Sequence, residues 1–466
     1  MLWFSLSYLR RLTVCALAAA ALFPPGTLAH GLLRHSLFHH RPQRPPHPLL
    51  VGYFPGWGPS YGQLYSVKDL ATSGGAKLLD QINYAQGTVA GGRCIVANPK
   101  YDLDTTYTRE NSVSGKADNP ASPFRGHFHQ LKELKRRYPD LKILLSLEAS
   151  PASFREGALP ENRQAFVASC VDTFLRGHFA PGIREPGIFD GFDIDWESPQ
   201  EKDAADYRGL LEEFRRQMSA VRPGLRLSIA VGNSPHMLPG TDFATIAPLV
   251  DVVGIMNYDY TGPWSPTTGF LAPLFSNPDN PRHSNSIELS IASYEAAGVP
   301  AKKLLMGLPF YGYSWSAVSN TGNGLFQAGK GVRGDRPYRY IRTLSAPFAS
   351  YRDPHSQAPW LFDGETFWTY EDPTSVRYKV SYAVEQHLGG VMIWELSGDT
   401  ADAELLTTAY RSLLDPLGSS VFDAAALPLA PPSTQPIQPP APPPDPATAA
   451  AAAAHISDVI PPAKTN

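Results

Sequence analysis

Cysteine is scarce in this chain, with three residues in 466. None stands at a metal-ligand spacing, so neither a metal site nor a cofactor is expected. An excess of one charge is also missing. The net charge is −3 and no long basic run crosses the central part, so nothing in the overall field favours nucleic acid or an anionic membrane. The apolar run "LTVCALAAAALF" at 12–23 falls short of the roughly 20 residues that an ordinary transmembrane helix needs. It follows Arg10 and Arg11 and precedes the small residues of "TLAH" at 27–30. It therefore reads as a secretory signal peptide over 1–29, cleaved after Ala29. The mature protein is expected outside the cytoplasm, extracellular or periplasmic, with no membrane contact. Cleavage would leave Cys94 and Cys170, which could form one disulfide, although their separation in space is not readable from sequence.

Internal repeats and an attached binding domain are also missing. Residues 30–48, "HGLLRHSLFHHRPQRPPHP", are rich in His, Arg and Pro. Nothing fixes the geometry of those histidines, so the stretch reads as a solvated linker. Residues 417–466 become Pro- and Ala-rich; such a composition buries too little apolar surface to fold alone and predicts a disordered tail.

Between these ends the chain alternates. Strand-like runs occur at 49–54, 81–86, 142–147, 191–196, 226–231, 252–258, 304–311 and 389–396. Helical patterns lie between several of them, at 128–138, 161–177, 201–221 and 374–388. Continuous apolar strands alternating with amphipathic helices imply a parallel sheet covered by helices. Eight such units predict an α/β fold, a (β/α)8 TIM barrel over 49–416. An open doubly wound sheet would more often carry a Gly-rich phosphate loop after its first strand, and "GYFPGWGPSYG" lacks that pattern. Residues 316–372 are long for a connection and carry their own aromatics, which predicts a small α+β insertion between strands seven and eight.

The fourth run, "FDGFDIDWES" at 189–198, sets carboxylates inside an apolar strand. Side chains alternate between the faces of a strand, so Asp193, Asp195 and Glu197 point one way and Phe192, Ile194 and Trp196 the other. In a barrel the acid face is the lumen. Acids there are costly unless hydrogen-bonded or functional, and Glu197 falls at the C-terminal end, where barrel active sites sit. Three close carboxylates cannot all ionise cheaply, so at least one should hold its proton to a raised pH. A proton-bearing carboxyl is what glycosidic cleavage needs. Asp190, in the opposite phase at the strand start, reads as structural.

D-G-F-D-I-D-W-E at 190–197 resembles the signature of the family 18 glycoside hydrolases, the chitinases and their relatives. "VGYFPGW" (51–57), "MNYD" (256–259), "GLPFYGYSW" (307–315) and "LGGVMIWELSGD" (388–399) resemble the family's motifs on strands one, six, seven and eight. The resemblance covers about 49–416. It implies a retaining, substrate-assisted cleavage of β-1,4-linked N-acetylglucosamine polymers, in which the substrate's 2-acetamido oxygen is the nucleophile. By the same resemblance Glu197 is the general acid and then the base, and Asp195 holds the acetamido N–H. Asp193 can share a proton with Asp195, and Tyr258 donates to the acetamido oxygen. Trp394 would floor the reacting sugar, and Asp259 and Met256 would line the site. Tyr53, Trp57, Trp264 and Trp315 are candidate sugar platforms.

The sequence departs from the family at the third strand, where a Ser-x-Gly-Gly pattern is usual and "SLEA" (146–149) stands. Ser146 could still reach Asp193. Glu148 either brings a fourth carboxylate toward the Asp193–Asp195 pair or, as the favoured reading, points up to bind substrate or to salt-bridge a loop. Gln86 stands where relatives often carry Phe, and Tyr313 where many carry Arg. The expected partner is chitin or another N-acetylglucosamine-containing glycan, bound by a monomer. The alternatives are an endo-β-N-acetylglucosaminidase or a cell-wall glycan hydrolase acting by the same chemistry, and a non-catalytic chitin-binding lectin, which retention of Glu197, Asp195 and Tyr258 together disfavours.

Overall fold

A computed structural model describes residues 47–58, 65–197, 199–281 and 286–418. The proposed signal peptide lies outside the described residues, as do nearly all of the linker and the tail. Eight parallel strands form the centre: β1 (Leu49–Pro55), β2 (Gln81–Ala90), β3 (Lys142–Glu148), β4 (Gly191–Asp195), β5 (Arg226–Val231), β6 (Val252–Ile255), β7 (Leu304–Pro309) and β8 (Gly390–Trp394). Each pairs with its neighbours in chain order. β1 pairs with both β8 and β2, which closes the ring into the (β/α)8 barrel that the alternation predicts. A short strand, Arg93–Val96, adds antiparallel to β2.

The two faces of β4 show why the pattern forms a barrel. Phe192 packs outward on Phe214 of helix Ala204–Val221, with ring centroids 5.2 Å apart. Beyond the strand end Trp196 stacks on Phe154 at 5.3 Å. Gly191 opens the strand at φ 153°, and a Cβ there would lie 1.8 Å from the Arg226 carbonyl oxygen. Another side chain would therefore push β5 away from β4.

The predicted helices form with shifted ends. Helix Gly126–Arg137 finishes in Lys135, Arg136 and Arg137, cations that suit its C-terminal carbonyls. Helix Pro373–Glu385 starts with an Asp372–Ser375 capping box and proline in its first turn. The pattern at 161–177 becomes helix Arg163–Cys170 followed by a π-helical turn, Val171–Leu175. That change falls directly after Cys170, which is disulfide-bonded to Cys94.

Between β7 and β8 an antiparallel five-stranded sheet rises, ordered Lys330–Pro337, Tyr311–Ser316, Phe367–Thr369, Pro359–Phe362 and Ala349–Arg352. It begins at Tyr311, earlier than residue 316. The apolar run at 304–311 therefore splits between two sheets, with Phe310 donating its N–H to the Trp394 carbonyl (2.8 Å) at the junction. The insertion has its own core around Trp315, Trp360, Phe362 and Phe367. A buried ion pair between Glu371 and Lys379 fastens its end to helix Pro373–Glu385. Among the described residues no helix is long and apolar enough to cross a membrane.

Asp190 closes the lower end of β4. Its carboxylate accepts from Lys135 Nζ (2.6 Å), the Ile143 N–H (3.0 Å) and Arg222 (3.0 Å). Burial pushes the carboxyl up, but the Lys135 charge, together with these donors, outweighs burial and holds it below its usual range. A depressed folded-state pKa means that the stabilisation is present above the unfolded value near 3.9 and is lost as pH falls through the folded value. Asp190→Asn should cost about 2–3 kcal/mol at pH 7. Urea unfolding at pH 7 and pH 3 checks this: the difference from the parent should shrink at pH 3, and a pH-independent difference would contradict the ion-pair account.

Candidate active site

The site starts from the cost of placing Asp193 in the lumen. The residue is 1% exposed. Its carboxylate accepts from Tyr53 Oη of β1 (2.8 Å), Ser146 Oγ of β3 (2.9 Å) and Ser228 Oγ of β5 (2.5 Å). The strand register sets Ser146 and Ser228 directly beside Asp193 on either side. Burial still leaves the carboxyl above its usual range, with the hydroxyl donors and Asn83 opposing the shift. Ser228 and Asn83 were missed by sequence reasoning. The available signal for Ser228 was the lone hydroxyl inside "RLSIAV".

Asp195 sits one lumen position higher and is also buried, but its Oδ1 has no hydrogen-bond partner among the described residues. Burial, followed by the like charges of Glu197, Asp193 and Glu148, drives its carboxyl well above the usual range. Glu197 lies two residues beyond the last strand residue and reaches solvent at the lip. Desolvation by the surrounding walls nevertheless raises its carboxyl. Glu148 is half-buried and pairs in register with Asp195 across β3 and β4. Burial and the Glu197 charge raise it as well. Among the described residues no cation forms an ion pair with Glu148, so the loop salt bridge expected for it does not form. Strand parity keeps it on the lumen side with Ser146.

The opposite wall comes from the end of β6. The run expected to reach residue 258 stops as strand at Ile255, because the Asn257 N–H turns back to the Ile255 carbonyl (2.8 Å). Met256 is half-buried there, and its N–H donates to the Val231 carbonyl (2.9 Å). Tyr258 is then carried into the lumen and buried. Gly307 makes room for this turn, since a Cβ there would lie 2.4 Å from the Ile255 carbonyl oxygen, 2.8 Å from the Asn257 nitrogen and 3.0 Å from the Tyr258 ring. Burial and the charges of Asp195, Asp259, Glu197 and Asp193 push the Tyr258 phenol far above its ordinary value. It stays a neutral donor.

Asp259 adopts φ 62° and accepts from Tyr311 Oη (2.6 Å). As a residue it is exposed, yet desolvation of its carboxyl raises it to about 6. Hydrogen bonds from Tyr311 and Tyr313 oppose that rise, and the Asp335 and Glu197 charges add to it.

Trp394 ends β8, half-buried, with the Tyr53 ring 5.3 Å and the Trp57 ring 5.9 Å away. These three aromatics form one wall beside the acids. Trp264 is 61% exposed and meets Tyr313 edge-on at 5.5 Å. Trp315 is not a platform. It is fully buried in the insertion core, and its Nε1–H donates to the Ser265 carbonyl (3.0 Å). Trp315 shares a strand face with Tyr311 and Tyr313, but at its end of the strand it packs on Phe367 inside the insertion core, so no face is left for a ligand. Among the described residues no group of three or more His, Cys, Asp or Glu side chains could hold a metal ion.

Buried hydroxyl-bound Asp193, under-bonded Asp195 and solvent-reaching Glu197 form a ladder from dry to wet, with a neutral phenol opposite and aromatics alongside. Such a set can deliver a proton at the lip and stabilise positive charge below it.

Comparison with known proteins points the same way. Residues 49–399 match the family model described as glycosyl hydrolases family 18. The chain is 33% identical over 383 residues to Chitinase C of Streptomyces lividans, an alignment covering 78% of this chain and 60% of that protein. It thus spans well under two thirds of that relative's length. The solved catalytic domain of a psychrophilic chitinase B from Arthrobacter TAD20 superposes with a TM-score of 0.73 at 32% identity, covering 79% of this chain and 95% of that one. A family 18 N-acetylglucosaminidase from Paenibacillus barengoltzii superposes with a TM-score of 0.62 at 29% identity, covering 78% and 99%. An acid ladder on the fourth strand of a closed barrel, within a sequence that matches the family model across nearly the whole barrel, has one reading: the chain belongs to family 18 of the glycosyl hydrolases.

Proposed function

We propose that the protein hydrolyses β-1,4-linked N-acetylglucosamine polymers, chitin or its oligomers, with retention and with the substrate's acetamido group as nucleophile. One observation carries this reading. The buried Oδ1 of Asp195 has no partner among the described residues, and an unmade hydrogen bond there costs about 1–3 kcal/mol. An acetamido N–H arriving from the lumen would supply the missing donor, so the site is built for a sugar that carries one.

The steps balance as follows. Glu197 gives its proton to the glycosidic oxygen and the C1–O bond breaks. The acetamido oxygen attacks C1 and forms a cyclic oxazolinium ion. Asp195 stabilises that cation through its N–H, backed by Asp193. Tyr258 donates its hydroxyl to the acetamido oxygen and holds the attack geometry. Glu197, now a carboxylate, takes a proton from water as the water oxygen bonds to C1 and the acetamido C–O bond breaks. Two inversions give retention. Trp394 and Trp57, both half-buried, offer flat faces for the sugar's axial C–H groups, whereas Tyr53 is 3% exposed and gives its hydroxyl to Asp193 beneath them.

The solved N-acetylglucosaminidase neighbour makes release of single sugars from a chain end a second reading. Products from a chitin hexamer separate it from internal cleavage, and an N-glycopeptide tests the endo-β-N-acetylglucosaminidase alternative. A lectin would bind the hexamer without turnover.

Export fits the Cys94–Cys170 disulfide, which closes a sequence separation of 76 residues. Such bonds persist in oxidising compartments and are rare in reducing ones. The expected result of expression with the native N-terminus is a mature chain outside the cytoplasm beginning at His30, without free thiol at Cys94 or Cys170. Retention of the full-length chain inside would contradict it.

Glu197→Gln should fold normally and lose at least about 100-fold in kcat on the hexamer; equal activity would remove its assigned role. Trp264→Ala should raise KM on long oligomers with little effect on melting. Trp315→Ala should instead cost about 3–5 kcal/mol of stability. The reverse pattern of KM and melting temperature would contradict both placements.

A further inference from the structure

Glu148 is not used by the mechanism above, yet it stands inside the site. It is half-buried on the lumen side of β3 and lies opposite Asp195 in the strand register. Arg155, in the helix that follows β3, is engaged by Asp203. Among the described residues no cation forms an ion pair with Glu148. From β4 it faces Asp195 and Glu197, with Asp193 below them on Ser146, Ser228 and Tyr53. From the end of β6, Tyr258 and Asp259 face the same group of acids. Gln86 of β2, where the β2–β3 register shifts, is neutral.

We propose that Glu148 is a positioning residue for the catalytic proton, a third carboxylate that keeps a proton on the Asp195–Glu197 pair at higher pH than the pair alone would manage. It acts through its charge and not by touching substrate. The kinetic part of this proposal rests on the function proposed above.

The sign follows from like-charge repulsion. A second negative charge beside a carboxylic acid makes loss of its proton harder, so the proton leaves at higher pH. The coupling runs in sequence: the Glu197 charge raises Glu148, and the Glu148 charge raises Asp195. Asp195 and Glu197 therefore lose their protons as a pair, with the Glu148 charge beside Asp195. Asp193 is partly shielded from this contest by its hydroxyl donors. With Glu148 present, the acid form needed for the first step survives further into the alkaline range.

Glu148→Gln keeps the shape and removes the charge, and Glu148→Asp keeps the charge on a shorter arm. The full chain, labelled for 13C carboxyl NMR, is titrated without substrate, and kcat/KM on the chitin hexamer is measured across pH. In Glu148→Gln the apparent titration of Asp195 and the alkaline limb of kcat/KM should both move down by about half to one pH unit. KM at acidic pH should stay within about twofold, and Glu148→Asp should recover part of the shift. Superimposable titrations in the parent and Glu148→Gln would overturn the proposal. So would a raised KM with an unmoved alkaline limb, above all on partly deacetylated oligomers, because Glu148 would then be a substrate contact. If the parent hydrolyses no hexamer, the function proposed above fails, while the NMR titration still decides the role of Glu148.

Discussion

The structure turns on the cost of holding carboxylates in a dry barrel. Burial is the largest influence on Asp193, Asp195, Glu148 and Tyr258 alike, and in each it opposes the charged form. Asp193 meets that cost with hydroxyls from β1, β3 and β5. Asp195 meets it only in part, and Glu197, although desolvation raises it too, reaches solvent. Three acids of one strand thereby become chemically unequal. The buried pair resists losing protons, and the one at the lip can exchange them with water.

The rest of the fold keeps this gradient in place. Asp190 ties the lower end of β4 to helix Gly126–Arg137 and to Arg222, so the strand that bears the acids cannot slide. Gly191 lets β5 approach closely enough for Ser228 to reach Asp193. Gly307 does the same for Tyr258 on the far side. The insertion brings Tyr311 and Tyr313 against Asp259. Burial raises the Asp259 carboxyl to about 6, and the hydrogen bonds from these phenols oppose that rise only in part. The Cys94–Cys170 bond braces the second strand's antiparallel extension against a covering helix, away from the acids.

Much of this was legible because local periodicity carries it. Eight apolar runs separated by helical patterns specified the barrel, and alternation in "FDIDWE" specified which acids share a face. Misplacements occurred where a run crosses from one element to another. The stretch at 304–311 reads as one strand, but Phe310 anchors to Trp394 and the chain then joins a second sheet. Trp315 looks like its fellow tryptophans in sequence, and it is the second sheet that decides that its ring faces a core.

By itself the sequence determined the strand count, the shared face of Asp193, Asp195 and Glu197, and the opposite phase of Asp190. Each depends on the fixed two-residue period of a strand, which holds whatever the chain packs against. Only the tertiary structure decided which hydroxyls satisfy Asp193, that Asp195 Oδ1 has no hydrogen-bond partner among the described residues, that Cys94 meets Cys170, and that Glu148 stands beside Asp195 with no ion-pair partner among those residues. These depend on register between strands distant in sequence and on exclusion of water by the closed barrel. Neither is written in the spacing of any one segment.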